Sequence, residues 1–283
     1  MVHTKWFLLA AGLALLTACN AGNAEPEKEK EMSDTEQEVP ETTGKAVEEK
    51  TELEQTEVPA EKPAEEPAKL AAEPKYRLNP ATWNMEPIGN APAEAVLITI
   101  DDAPADYSVE MATILKELDV PAIFFVNGHF LDSDEEKANL KKIHDMGFAI
   151  GNHTYNHNNL KTIGEEQQRE EILSLSEAVE GIIGEKPKFF RAPNGSNTDF
   201  SKALIAQEGM LLMNWTYGYD WEKQYMNAAA LTDIMVNTEF LRNGANLLMH
   251  DREWTAQALP SIIEGLRAKG YSFVEPDEIE GVK

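Results

Sequence analysis

His153 and His157 stand four residues apart in the stretch His153-Thr-Tyr-Asn-His157. Neutral imidazole is the commonest protein ligand for zinc and similar ions. The spacing lets both rings face one point if the backbone completes a helical turn between them. Two ligands leave such a site incomplete, because an open catalytic zinc site takes three protein ligands. Asp101 and Asp102 are adjacent carboxylates earlier in the chain. Neighbours on an extended chain point to different sides, so one can ligate a cation while the other takes a proton. The competing reading is a turn or capping pair ahead of Ala103-Pro104. With two histidines near it in the fold, Asp102 becomes the expected third ligand of a His₂Asp set.

Other groups could use such a cation. Arg191 follows Phe189-Phe190 directly, and a guanidinium beside buried aromatics needs a carboxylate or solvent. It either orients a catalytic aspartate or makes a structural ion pair. Pro193-Asn194-Gly195 is a turn signal, and backbone N–H groups in such a turn could face a developing oxyanion. His250 closes the apolar run Leu247-Leu248-Met249. A carboxylate beside it would keep it protonated, as a general acid requires. Asp220 is the candidate partner and Asp251 its competitor. Trp221 beside Asp220 is either a wall of the site or core. His129 is a weaker candidate for the rim, and His144 reads as a surface residue on a helix near Asp145.

These groups recur at one kind of place. Apolar runs at 95–100, 122–126, 148–150, 189–190, 210–213, 246–249 and 271–274 alternate with helix-period stretches at 108–118, 134–146, 165–183, 200–208, 231–241 and 256–269. Continuous apolar strands alternating with helices indicate a parallel sheet buried on both faces. About seven such units fit a (β/α) barrel better than an open sheet. Asp101-Asp102, His153 with His157, Arg191, Asp220-Trp221 and His250-Asp251 each follow an expected strand. In a (β/α) barrel the carboxyl ends of the strands form the face where active sites are built.

The first 75 of the 283 residues differ in kind. Residues 1–18 read as an export signal, with Lys5 ahead of an apolar stretch from Trp6 to Leu16 that is short for a bilayer span. Leu16-Thr17-Ala18-Cys19 resembles a bacterial lipobox, which implies cleavage before Cys19 and lipidation of its thiol. Cys19 is the single cysteine, so an intrachain disulfide and a cysteine-based metal cluster are excluded. Residues 20–75 carry 17 acidic residues against seven lysines, six prolines and no aromatic residue. Such composition predicts a disordered, extended segment. The expected organisation is a signal over 1–18, an acidic tether over 19–75, reaching roughly 40 Å as a flexible coil, and one folded domain over 76–283. That domain has 33 acidic and 17 basic residues, which argues against binding nucleic acid or docking directly on anionic lipid.

Five stretches in order carry a family resemblance. Thr99-Ile-Asp-Asp102, His153-Thr-Tyr-Asn-His157, Arg191-Ala-Pro-Asn-Gly195, Asp220-Trp221 and Leu248-Met-His250 resemble the motifs of the NodB-type polysaccharide deacetylases, carbohydrate esterase family 4, over roughly residues 90–275. The resemblance implies a distorted (β/α) barrel that removes acetyl groups from N-acetylated sugars. It implies a divalent metal, usually zinc, on Asp102, His153 and His157. Asp101 would be the general base, Arg191 its orienting partner and His250 the acid that protonates the leaving amine. The Asn194 amide would help stabilise the oxyanion, and Leu248 would line the pocket for the acetyl methyl. A monomer anchored through Cys19 at the outer face of the membrane would face the wall, so the expected substrate is cell-wall glycan, N-acetylglucosamine of peptidoglycan; an inactive glycan-binding module and an O-acetyl esterase or xylan deacetylase are the competing readings. Three positions depart from the family pattern: Ala103-Pro104 replaces a glycine, Asn194 replaces a tyrosine, and no aspartate precedes Asp220 within Trp215–Trp221.

Overall fold

The computed structural model describes residues 73–282. The expected export signal, Cys19 and the acidic tether as far as residue 72 lie outside the described residues. The chain begins with an antiparallel hairpin, β1 (Tyr76–Leu78) and β2 (Met85–Pro87). Sequence periodicity gives no hint of this pair, because each strand is three residues long. Alternating units follow: β3 (Ala95–Ala103), α1 (Ser108–Glu117), β4 (Ile123–Val126), α2 (Asp134–Asp145), β5 (Ala149–Asn152), α3 (Glu165–Ile183), β6 (Phe189–Phe190), α4 (Asp199–Gln207), β7 (Leu211–Leu212), α5 (Ala228–Asn237), β8 (Asn246–His250), α6 (Glu253–Ala268) and β9 (Ser272–Phe273).

The seven later strands form one parallel sheet in the order β7-β6-β5-β4-β3-β8, with β9 paired to the start of β3. The segment after β7 carries the curl onward. The Thr216 N–H donates to the Asn246 carbonyl at 2.8 Å, and the Leu248 N–H donates to the Tyr217 carbonyl at 2.9 Å. One stretch of chain therefore pairs with β6 at Leu211–Leu212 and with β8 at Tyr217. The architecture is a distorted (β/α) barrel, as the alternation of strands and helices predicts.

Side-chain alternation along the strands decides what faces the interior. Val96, Ile98 and Ile100 pack with the helices, together with Phe124, Val126 and residues such as Leu115 and Leu259. Ala95 and Leu97 point the other way, into a cluster with Ile123, Phe125, Phe189 and Met213. Continuing that count, Asp101 falls on the interior side.

Side-chain caps explain two of the helix starts that differ from the sequence reading. The Thr198 hydroxyl accepts from the Ser201 N–H, which starts α4 at Asp199. The Asn227 side chain accepts from the Ala230 N–H, so α5 begins three residues before the expected Leu231. It stops at Asn237 because Thr238 is extended. Asp101 and Asp102, expected after the first strand, belong to its last residues. β3 runs on past Ile100 through a register irregularity against β4, and Asp102 there has φ 65°.

Candidate active site

Asp101 is fixed from below by Arg191. The Arg191 Nη1 donates to Asp101 Oδ1 at 2.5 Å, and Nη2 donates to the Asn214 carbonyl at 3.1 Å. The guanidinium is fully buried and lies 4.2 Å above the Phe125 ring, so cation–π attraction supplements the ion pair. Phe125 in turn packs against Gly151 of β5. A Cβ on that glycine would lie 2.4 Å from the ring, so only glycine lets the ring carry the arginine there. Burial makes the pair demanding, because a charge removed from water needs a hydrogen-bonded counterpart.

Asp102, whose backbone is left-handed, lines the same cleft as Asp101. Its Oδ1 lies 3.7 Å from His157 Nε2 and 4.0 Å from His153 Nε2. The ligand-type atoms of Asp102, His153 and His157 all fall within 4.8 Å of one another. The two histidines meet without the helical turn their spacing suggests. Thr154 and His157 adopt φ 69° and 56°, and the rings contact edge-on at 4.9 Å between centroids.

The protonation of these groups suits a cation. His153 Nδ1 donates to the Arg191 carbonyl at 2.7 Å, and its Nε2 lies 3.5 Å from Asp101 Oδ2 and 4.0 Å from Asp102 Oδ1. Burial lowers the His153 pKa, against the opposing pull of Asp101 and Asp102, and so favours the neutral ring. Burial alone would raise the Asp102 pKa, but the charges of His250, His153, His157 and Arg252 outweigh it and lower it. One carboxylate and two imidazoles form a ligand set that fits a divalent ion such as zinc.

Across the site, His250 is paired with Asp220, not Asp251. His250 Nδ1 donates to Asp220 Oδ1 at 2.7 Å, and the His250 N–H donates to Oδ2 at 2.6 Å. Asp220 also accepts from the Thr255 hydroxyl at 2.9 Å, and its carbonyl accepts from Trp254 Nε1 at 2.8 Å. Burial pushes the His250 pKa down, but the Asp220 hydrogen bond and charge, with Asp101 and Asp102, raise it above the ordinary histidine value. Asp251 faces away and caps α1, accepting from the Tyr107 and Ser108 N–H groups and the Ser108 hydroxyl.

A cleft of about 490 Å³ joins these groups at the carboxyl ends of the strands. Asn194, Trp221 and Leu248, all expected from sequence, line it. Asn194 and Gly195 are consecutive left-handed residues, and the turn's internal bonds use the N–H groups of Gly195 and Ser196. Trp221 stands edge-on to His250 at 5.3 Å, and Leu248 is buried beneath. Two lining residues escaped the sequence reading. Trp215 packs against Trp221 at 6.5 Å. Arg252 donates from Nη2 to Asp102 Oδ2 at 2.8 Å; its place two residues after His250 was the available signal. His129 spends its Nδ1 on the Tyr155 carbonyl at 3.1 Å and stacks on Phe130. His144 pairs with Glu185 and Asp145 on the surface.

Comparison with known proteins agrees with this arrangement. The family model described as polysaccharide deacetylase matches residues 88–213. The chain is 33% identical over 216 residues to the uncharacterized protein YlxY of Bacillus subtilis, covering 75% of this chain. It spans 62% of that relative's length, less than two thirds. It is 30% identical over 223 residues to a peptidoglycan-N-acetylglucosamine deacetylase of Bacillus cereus, covering 72% of this chain and 77% of the relative. Among solved structures it resembles a mutant of BA3943, described as a CE4 family pseudoenzyme with restored enzymatic activity. The TM-score there is 0.59 at 30% identity, over 66% of this chain and 68% of the other. The chain belongs to the polysaccharide deacetylase family, carbohydrate esterase family 4 of the NodB type.

Proposed function

We propose that the protein is a metal-dependent N-deacetylase of cell-wall glycan, acting on N-acetylglucosamine of peptidoglycan. The observation that carries this reading is the division of labour between adjacent aspartates. Asp101 is tied to Arg191, while Asp102 faces His153 and His157. Asp102, His153 and His157 would hold the cation, which when bound supplies a Lewis acid for the acetamide carbonyl.

The remaining steps belong to the chain's own groups. Asp101, oriented by Arg191, takes the proton of the attacking water. The water oxygen bonds to the acetyl carbon. The turn at Asn194 offers a backbone N–H to the oxygen on which charge develops. His250, held by Asp220, donates its proton from Nε2 to the amine as the C–N bond breaks. Acetate and a free amino sugar result. Leu248 bounds the floor where a methyl would sit, and Trp221 offers a ring face to a sugar.

The Bacillus cereus relative acts on peptidoglycan N-acetylglucosamine by its name, which supports the choice of sugar. The lipobox-like Leu16–Cys19 and the acidic spacer support an anchor in the outer face of the bacterial membrane, with the domain in the wall space. A second reading, a glycan-binding module without turnover, is favoured by one fact: the structural neighbour is described as a pseudoenzyme whose activity a mutation restored. Acetate release from peptidoglycan, N-acetylated chitooligomers and acetylated xylan, each with and without chelator, separates the readings. Chelator-sensitive release from peptidoglycan is expected. Release from xylan alone would make the protein an O-acetyl esterase, and no release from any substrate would leave the binding module.

A further inference from the structure

Glu171 is a buried acidic residue on α3, 5% exposed, and it does not line the catalytic cleft. Its carboxylate is spent on the loop that carries His157. Oε2 accepts from the Asn156 N–H at 2.7 Å. Oε1 accepts from Asn156 Nδ2 at 2.9 Å and from Asn158 Nδ2 at 2.7 Å. The Glu171 carbonyl also accepts from the Tyr155 N–H at 2.9 Å. One residue thus holds the chain on both sides of His157.

The loop needs such a hold. Thr154 and His157 both occupy the left-handed region, which residues with a Cβ avoid. His153 is oriented through its own ring, by Nδ1 donating to the Arg191 carbonyl. The His157 ring instead meets Asp102 and His153, and it is partly exposed. Its aim therefore comes from the main chain, which Glu171 fixes through the Asn156 N–H and through the Asn156 and Asn158 side-chain amides. Loss of a group that orients a metal ligand from behind typically costs about ten- to a hundredfold in metal affinity.

We infer that Glu171 is a positioning residue that presets His157 for the cation, acting through the backbone and not by touching ion or substrate. This rests on the reading of Asp102, His153 and His157 as the ligand set. Glutamine in its place offers one acceptor oxygen to three N–H donors and turns an NH₂ group toward them.

The test is zinc affinity of the full chain, read by competition with a chromophoric chelator, for wild type, Glu171→Gln, Asn158→Ala and His157→Ala. Circular dichroism reports folding. Glu171→Gln is expected to fold and to bind zinc about ten- to a hundredfold more weakly. Its turnover should largely recover at saturating zinc, since acid and base are untouched. Asn158→Ala, which removes one of the three side-chain-held bonds, should weaken zinc by a smaller factor and decides the matter if the glutamine variant does not fold. Wild-type affinity in folded Glu171→Gln, or in Asn158→Ala where that variant decides, would overturn the inference while leaving the ligand set standing. Wild-type binding that survives His157→Ala, or is absent altogether, would overturn the ligand set and the inference with it.

Discussion

Asp101 and Asp102 are neighbours in sequence, line one cleft and both approach His153, yet Asp101 is paired with Arg191 while Asp102 approaches His157. Asp101 meets the buried guanidinium of Arg191 at 2.5 Å, and Asp102 lies 3.7 Å from His157 Nε2. In the proposed mechanism Asp101 serves proton transfer and Asp102 serves cation binding.

Arg191 should matter to both stability and catalysis. Arg191→Met leaves Asp101 buried without its counter-charge, and breaking a buried pair in this way costs about 3–5 kcal/mol. A chemical-denaturation curve should show that loss, alongside a large drop in kcat. A variant of wild-type stability would mean that water replaces the guanidinium freely.

The alkaline limit of activity should depend on Asp220. A general acid works only while protonated, so activity falls as pH rises through the folded pKa of His250. Asp220 raises that pKa against the opposing effect of burial. In Asp220→Asn the charge is lost and burial remains, so the alkaline limb of the kcat/KM profile should move to lower pH. A limb that stays in place would assign it to another group.

Asn194 should act through its backbone. Its φ of 55° suits glycine as well as asparagine. Asn194→Gly should therefore keep most of kcat, whereas a loss of about a hundredfold, typical of a deleted oxyanion donor, would show that the side-chain amide makes the contact.

Trp221 should act on binding. It is 44% exposed and lines the cleft, so Trp221→Ala should leave thermal stability nearly unchanged and raise KM for oligomers more than it lowers kcat. A KM equal to that of wild type would place the sugar elsewhere.

Much of this was legible in the sequence because strand–helix alternation places polar residues at a common barrel face. His153, His157, Arg191, Asp220 and His250 all sit where that alternation predicts; the cleft brings the three histidines and Asp220 together, and Arg191 reaches it through Asp101. What was not legible depends on backbone detail. The pairing of His250 with Asp220 over Asp251 depends on which way Asp220 leaves the segment between β7 and α5 and Asp251 leaves the end of β8, and the hydrogen bonds settle it. Arg252 and Trp215 were missed because a lone arginine and a lone tryptophan carry no periodic signal. Their roles arise from neighbours distant in sequence, Asp102 and Trp221. The hairpin Tyr76–Pro87 is too short for pattern, and its docking on Gly244 through the Met85 backbone is a tertiary contact.

The division of labour between the two aspartates is tested most directly by Asp101→Asn and Asp102→Asn side by side in the full chain. Zinc affinity and acetate release from peptidoglycan would be measured on both. Asp101→Asn should bind zinc as wild type does and lose turnover by about a hundredfold or more, the range for a removed general base. Asp102→Asn should lose zinc and turnover together. Full activity in Asp101→Asn, or undiminished zinc binding in Asp102→Asn, would contradict the assignment.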